Sequence, residues 1–164
     1  MILVALGANL DSPAGSPEAT LVSALGVMAA QKIRVLKVSP FYRTPAWPDP
    51  ADPPFINAVV RVQTALGPQV LLAALHAIET EFGRQRSYAN APRTLDLDLI
   101  DYDGRIDTGP PVLPHPRMAE RAFVLKPLAS IAPDWVHPVS GQSISALLAA
   151  LPEAACAAVV PLSA

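Results

Sequence analysis

Residues 55–64 read FINAVVRVQT, and this stretch decides the fold. Ile56, Ala58, Val60 and Val62 fall on one face of an extended chain. Phe55, Asn57, Val59, Arg61 and Gln63 fall on the other, which is the two-residue period of a β-strand. Gly67-Pro68 then opens a helix whose Leu71, Leu75, Ile78 and Phe82 recur at i, i+4, i+7 and i+11, with Gly83 closing it. After a polar loop, residues 95–102 read as a strand, and Asp103-Gly104 is a hairpin signal. Working back toward the N-terminus, residues 43–54 carry prolines at 45, 48, 50, 53 and 54, so they form a stiff, extended loop rather than a sheet interior. Residues 33–39 are rich in β-formers, though the alternation slips between Val35 and Leu36, as a bulge would make it do. Ser16-Pro17-Glu18 has the chemistry of a helix start, and Leu21, Leu25 and Met28 follow at helical spacing up to about Lys32. Residues 2–6 are an apolar run stopped by Gly7, a buried strand.

The resulting order, β-α-β-β-α-β, predicts an α+β fold of the ferredoxin-like kind, an antiparallel sheet with helices packed on it. Further helical pieces near 118–131 and 144–151 would cover the sheet elsewhere. A chain of 164 residues is expected to be a single domain, 1–164, since domains run to about 100–200 residues. Twelve Lys+Arg against fourteen Asp+Glu, net −2, provide no field for nucleic acid or an acidic membrane. One cysteine, Cys156, cannot close an internal disulfide, and no apolar run approaches the ~20 residues of a membrane span. The start at residues 1–6 lacks the cationic opening of a signal peptide, so a cytoplasmic location is expected. A monomer is expected as well.

The chemistry concentrates in Thr94-Leu95-Asp96-Leu97-Asp98-Leu99. On a strand, Asp96 and Asp98 point the same way, roughly 6.5–7 Å apart, while the leucines between them enter the core. Paired carboxylates beside apolar surface call for a cation, and hard oxygens are what Mg²⁺ takes, with substrate phosphates completing its shell. Arginine outnumbers lysine nine to three, and Arg84, Arg86, Arg93, Arg117 and Arg121 crowd one stretch with His115. Cations around such a pair are the layout of phosphoryl transfer. Phe55 and Asn57 share a strand face, suiting a flat heterocycle: stacking for the ring, an amide for its edge. His76 and His137 read as structural. The chain has neither a P-loop nor a Rossmann glycine motif.

The segments ALGANL (5–10), SPFYRTPAW (39–47), PFINAVV (54–60), ETEFGRQR (79–86), APRTLDLDLI (91–100) and LPHPRMAERAFVLKPL (113–128) together resemble the hydroxymethyl-dihydropterin pyrophosphokinase family. That resemblance implies transfer of the pyrophosphoryl group of ATP to 6-hydroxymethyl-7,8-dihydropterin, with release of AMP. It implies Asp96 and Asp98 as ligands of two Mg²⁺, with Arg84 and Arg93 on the triphosphate. Glu79, Arg86, Leu99, His115 and Arg121 would meet ATP. Thr44, Pro45, Trp47, Phe55, Asn57 and Phe123 would meet the pterin, the two phenylalanines sandwiching its ring. The hydroxymethyl proton would pass to Asp98 or to water, and the loops 43–54 and 83–94 would close over the site. Three segments depart from the family pattern: Asn90-Ala91-Pro92-Arg93 lacks a tryptophan, Pro116 stands where some members have tyrosine, and Pro110-Pro111-Val112 lacks an Arg and a Thr. Two other classes fit parts of the pattern, a ferredoxin-like sensor without turnover and a metal-dependent nucleotidyltransferase.

Overall fold

The two-residue period of the stretch quoted above builds β4 (Phe55–Gln63), and β4 is the hub of the sheet. The computed structural model describes residues 1–47, 49–84 and 92–162. β4 pairs antiparallel with β1 (Ile2–Ala8) on one side. On the other it carries two strands end to end, β2 (Arg34–Val38) and β3 (Tyr42–Thr44). β1 pairs in turn with β5 (Asp96–Tyr102), antiparallel. Every pairing among the described strands is antiparallel, because each βαβ crossover skips over a strand rather than returning beside its own.

One face is covered by α1 (Pro17–Ala30) and α2 (Pro68–Glu81). Ser16 caps α1 by accepting from the Ala19 amide at 3.3 Å, with Pro17 at the first helical position. Leu21, Met28, Leu71, Leu75, Ile78 and Phe82 meet Ile56, Val60, Val62, Leu95, Leu97 and Leu99 in the larger core. The opposite face is covered by α3 (Ala122–Ile131) and α4 (Ile144–Ala150), whose Val124, Leu125, Leu128 and Leu147 pack on Leu3, Val59 and Ile100. Gly83, at φ +80°, ends α2 in the left-handed region that glycine tolerates best. None of the described helices is long and apolar enough to cross a membrane.

Three local expectations need correction, and two short elements are added. Arg43 and Thr44 belong to β3, because the prolines that forbid pairing begin only at Pro45. The Asp103-Gly104 turn forms, with φ of +53° and +68°, but no strand returns along β5. The following segment holds Pro110, Pro111 and Pro114, which cannot donate to a ladder, and its backbone meets β5 through the Arg105 amide to the Tyr102 carbonyl at 3.0 Å and the His115 amide to the Ile100 carbonyl at 2.8 Å. The expected 118–131 helix is interrupted at Arg121, whose extended backbone (φ −116°, ψ 102°) separates a 3₁₀ turn (Met118–Glu120) from α3. α5 (Glu153–Ala157) and β6 (Val160–Pro161) had no counterpart in the sequence reading, and β6 pairs with β3. The slip in β2 is a register shift between Val35 and Lys37, as expected of a bulge.

Candidate active site

β1 shows how the backbone opens a cavity. Its Ile2, Val4, Leu6 and Ala8 fill the α1/α2 core, while Leu3, Ala5 and Gly7 face the other way and shrink along the strand. Leu3 is buried under α3, but Gly7 leaves a hollow. Register places Asp96 beside Gly7 on one side and Asn57 on the other, and Asp98 beside Ala5. Partners in register share a face of the sheet, so Asp96, Gly7 and Asn57 form one transverse row. A Cβ on Gly7 would lie 3.0 Å from Asn57 Oδ1, close enough to press on that amide. Over this row lies a cavity of about 470 Å³, within the range of small-molecule sites.

The cavity has a charged half. Asp96 is doubly engaged: a terminal nitrogen of Arg84 donates to Oδ1 at 2.6 Å and one of Arg93 to Oδ2 at 2.6 Å. The same Arg84 nitrogen also donates to Glu79, which is 2% exposed and accepts from the Leu97 amide at 2.8 Å. Asp98 is more open, and its ion pair with Arg121 spans 3.7 Å. Burial and then the neighbouring Asp96 raise the Asp98 carboxyl above its ordinary pKa, against the pull of His115, Arg121 and Arg84. His115 is lowered, first by burial, with Arg121 and Arg117 reinforcing this and Asp98 opposing it. Its Nδ1 accepts from the Arg117 amide at 3.2 Å, which leaves the other ring nitrogen as the polar group able to meet a ligand. The cavity wall also includes Arg117 and Glu120.

The other half is flat and uncharged. Phe55, Thr44, Pro45, Trp47, Asn57 and Phe123 line it. Asn57 is 5% exposed and donates to Thr44 Oγ1 at 2.8 Å, which orients the amide with its oxygen toward Gly7. The break at Arg121 brings both Arg121 and Phe123 to the cavity wall, the guanidinium 5.5 Å from the ring centroid.

Of the residues singled out from sequence, Arg84, Arg93, Asp96, Asp98, His115, Arg121, Thr44, Pro45, Trp47, Phe55, Asn57 and Phe123 share this one wall. Two stand elsewhere. Leu99, 3% exposed, points into the α1/α2 core, and Glu79 lies behind Arg84 rather than on the wall. Arg86 lies outside the described residues. Gly7, Asn9 and Glu120 went unassigned in the sequence reading. Buried Asn9 accepts from the Arg93 amide at 2.8 Å and donates to the Pro53 carbonyl at 3.0 Å, tying both flanking segments to the end of β1. An amide directly after an apolar strand was the available signal.

Paired carboxylates on the edge strand β5, several arginines and an aromatic-amide recess, all on one wall of a ferredoxin-like sheet, define a class: α+β proteins in which one cavity joins a charged half to a flat one. The family model described as 7,8-dihydro-6-hydroxymethylpterin-pyrophosphokinase (HPPK) matches residues 3–133, and the chain belongs to that family. It is 41% identical over 162 residues to the 2-amino-4-hydroxy-6-hydroxymethyldihydropteridine pyrophosphokinase of Synechocystis, covering 98% of this chain and 80% of that one. It is 41% identical over 145 residues to the folic acid synthesis protein fol1 of Pneumocystis carinii, covering 88% of this chain. The match spans only 19% of that relative's length. Among solved structures, the Plasmodium falciparum HPPK-DHPS with pteroate superposes with a TM-score of 0.67 at 14% identity, covering 90% of this chain and 41% of the other. That likeness shows the fold.

Proposed function

We propose that this chain transfers the pyrophosphoryl group of ATP to 6-hydroxymethyl-7,8-dihydropterin in folate synthesis, releasing AMP. The observation that carries the reading is the single cavity in which Asp96 and Asp98 with Arg84, Arg93 and Arg121 adjoin Phe55, Asn57 and Phe123. The triphosphate lies along the arginines and the ring between the two phenylalanines, so the hydroxymethyl oxygen meets the β-phosphorus at the boundary of the two halves. The bond from that oxygen to the β-phosphorus forms as the bond to the AMP phosphate oxygen breaks.

Asp96 and Asp98 fit a divalent cation by donor type and shared face, and they would hold Mg²⁺, two ions in this reading. When bound, Mg²⁺ supplies neutralisation of phosphate charge for in-line displacement. Among the described residues of the wall, Arg84, Arg93, Arg117 and Arg121 are matched in number by Asp96, Asp98, Glu120 and, behind Arg84, Glu79, so a cation adds positive charge that a triphosphate can use. The arginines orient the tail, and the hydroxymethyl proton passes to Asp98 or to water. Residues 1–164 act as one domain and a monomer.

Turnover with ATP, Mg²⁺ and the reduced pterin alcohol tests the reading: AMP should appear with the pterin diphosphate. Release of pyrophosphate would indicate nucleotidyl transfer instead, and binding of both ligands without products would indicate a sensor. Two substitutions probe the ring half. Phe123→Ala is expected to weaken pterin binding by about 1–3 kcal/mol, the scale of a stacked ring, with ATP affinity kept. Fluorescence titration of each ligand separately checks this, and the reverse pattern would move the ring elsewhere. Gly7→Ala should displace Asn57 and break its bond to Thr44, weakening pterin binding roughly tenfold through one mispositioned amide. Undiminished pterin affinity in calorimetry would show that the floor yields without cost.

A further inference from the structure

The two carboxylates are not equivalent. Both oxygens of Asp96 are taken by guanidinium nitrogens at 2.6 Å, with Asp96, Arg84 and Arg93 side chains 22%, 17% and 20% exposed. Asp98 is 37% exposed, with its ion pair at 3.7 Å. Charge-assisted bonds of that length in a partly buried site are strong, so a cation approaching Asp96 competes with two of them. Among the described residues no cluster of three or more His, Cys, Asp or Glu exists to hold a metal by protein groups alone.

We propose that Arg84 and Arg93 are the site's own counter-ions to Asp96, and that this carboxylate becomes a cation ligand only as a polyphosphate tail draws the two guanidiniums away. Divalent cation and nucleotide then bind with strong positive coupling. This rests on the pyrophosphokinase reading and adds how its site is loaded. Phosphate oxygens are the competing partner that a planar guanidinium accepts in exchange for a carboxylate. The exchange conserves charge pairing, because the arginines move from carboxylate to phosphate while the cation takes the carboxylate. Arg84 need not leave the wall to do this. Its bond to Glu79, itself fastened to the Leu97 amide, anchors the side chain from behind. Linkage makes the effect reciprocal, so the cation raises nucleotide affinity by the same factor as nucleotide raises cation affinity.

The test uses Mn²⁺ as the probe, its free fraction read by electron paramagnetic resonance, with and without a non-hydrolysable ATP analogue and without pterin. Arg93 is the cleaner residue to change, because Arg84 also neutralises buried Glu79. Once the Mn²⁺ that the analogue binds without protein is subtracted, wild-type protein should bind Mn²⁺ weakly alone and at least about tenfold more tightly with the analogue. Arg93→Gln should bind Mn²⁺ alone at least about tenfold more tightly than wild type, the scale of one charge-assisted bond removed, and the coupling to nucleotide should shrink. Adding Asp98→Asn should abolish that gain, assigning it to the carboxylate pair. Should Arg93→Gln not fold, Arg93→Lys, which keeps the charge and loses the fork, should show a smaller gain of the same sign. A folded variant with unchanged or weaker affinity for Mn²⁺ alone overturns the inference. Failure of wild-type protein to bind the Mn²⁺–analogue pair at all would overturn the pyrophosphokinase reading itself.

Discussion

Asp98→Ala is expected to lower kcat by at least ~100-fold, the loss of one strongly placed electrostatic group. Asp98 sits beside Asp96 on one sheet face, with its charge opposed by burial and by that neighbour. A carboxyl held above its usual pKa is a group whose ionised form the surroundings disfavour until a cation or a phosphate-bound metal stabilises it. Its removal therefore strikes the loaded complex rather than the resting fold. The side chain is 37% exposed, and its ion pair spans 3.7 Å, so unfolding free energy should change by less than about 1 kcal/mol. Asp98→Asn keeps the shape and removes the charge, and it should lose nearly as much turnover. Steady-state AMP release at saturating ATP and pterin, beside urea unfolding of both variants, checks the pair of expectations. Near-normal turnover in either would take Asp98 out of the mechanism.

Leu97→Ala is expected to destabilise the protein by about 2–5 kcal/mol, the range for a buried leucine truncated to alanine. Leu97 stands between the two aspartates in sequence, yet it is 1% exposed and belongs to the core under α1 and α2. In a chain of this size that loss corresponds to a fall in melting temperature on the order of ten degrees. The adjacent Leu95 and Leu99 share this role, so the acidic row is held in place by an apolar row on its back. Calorimetry of the variant decides the matter. A shift of only a degree or two would mean that the strand is not anchored where the structure places it.

The alternation in 55–63, the caps at Ser16 and Gly83 and the leucine row of 95–99 were all legible, because each is a local period or a local backbone requirement. They suffice for a ferredoxin-like α+β core and for the statement that Asp96 faces with Asp98 and Phe55 with Asn57. The β3 strand was hidden because three residues are too few to show a period, and β6 because it has only two. Glu79 looked like a ligand contact by family resemblance, but helical phase alone does not say how deep a side chain lies. Its neighbours Leu75 and Ile78 bury that face of α2, and the carboxylate follows them inward to the Leu97 amide. The interruption at Arg121 was equally hidden, since both of its flanks read as helix.

Taken by itself, the order of residues determined which side chains share a face within each strand or helix, and through them the class of fold and the two halves of the site. Tertiary structure decided the rest: that Asp96, Gly7 and Asn57 form one row across three strands, that Arg84 and Arg93 cap Asp96, and that Phe123 reaches the cavity from a helix distant in sequence. The physical reason is range. A period of two or 3.6 residues is written in neighbours along the backbone, whereas register between strands and the pairing of charges depend on which distant segments pack together.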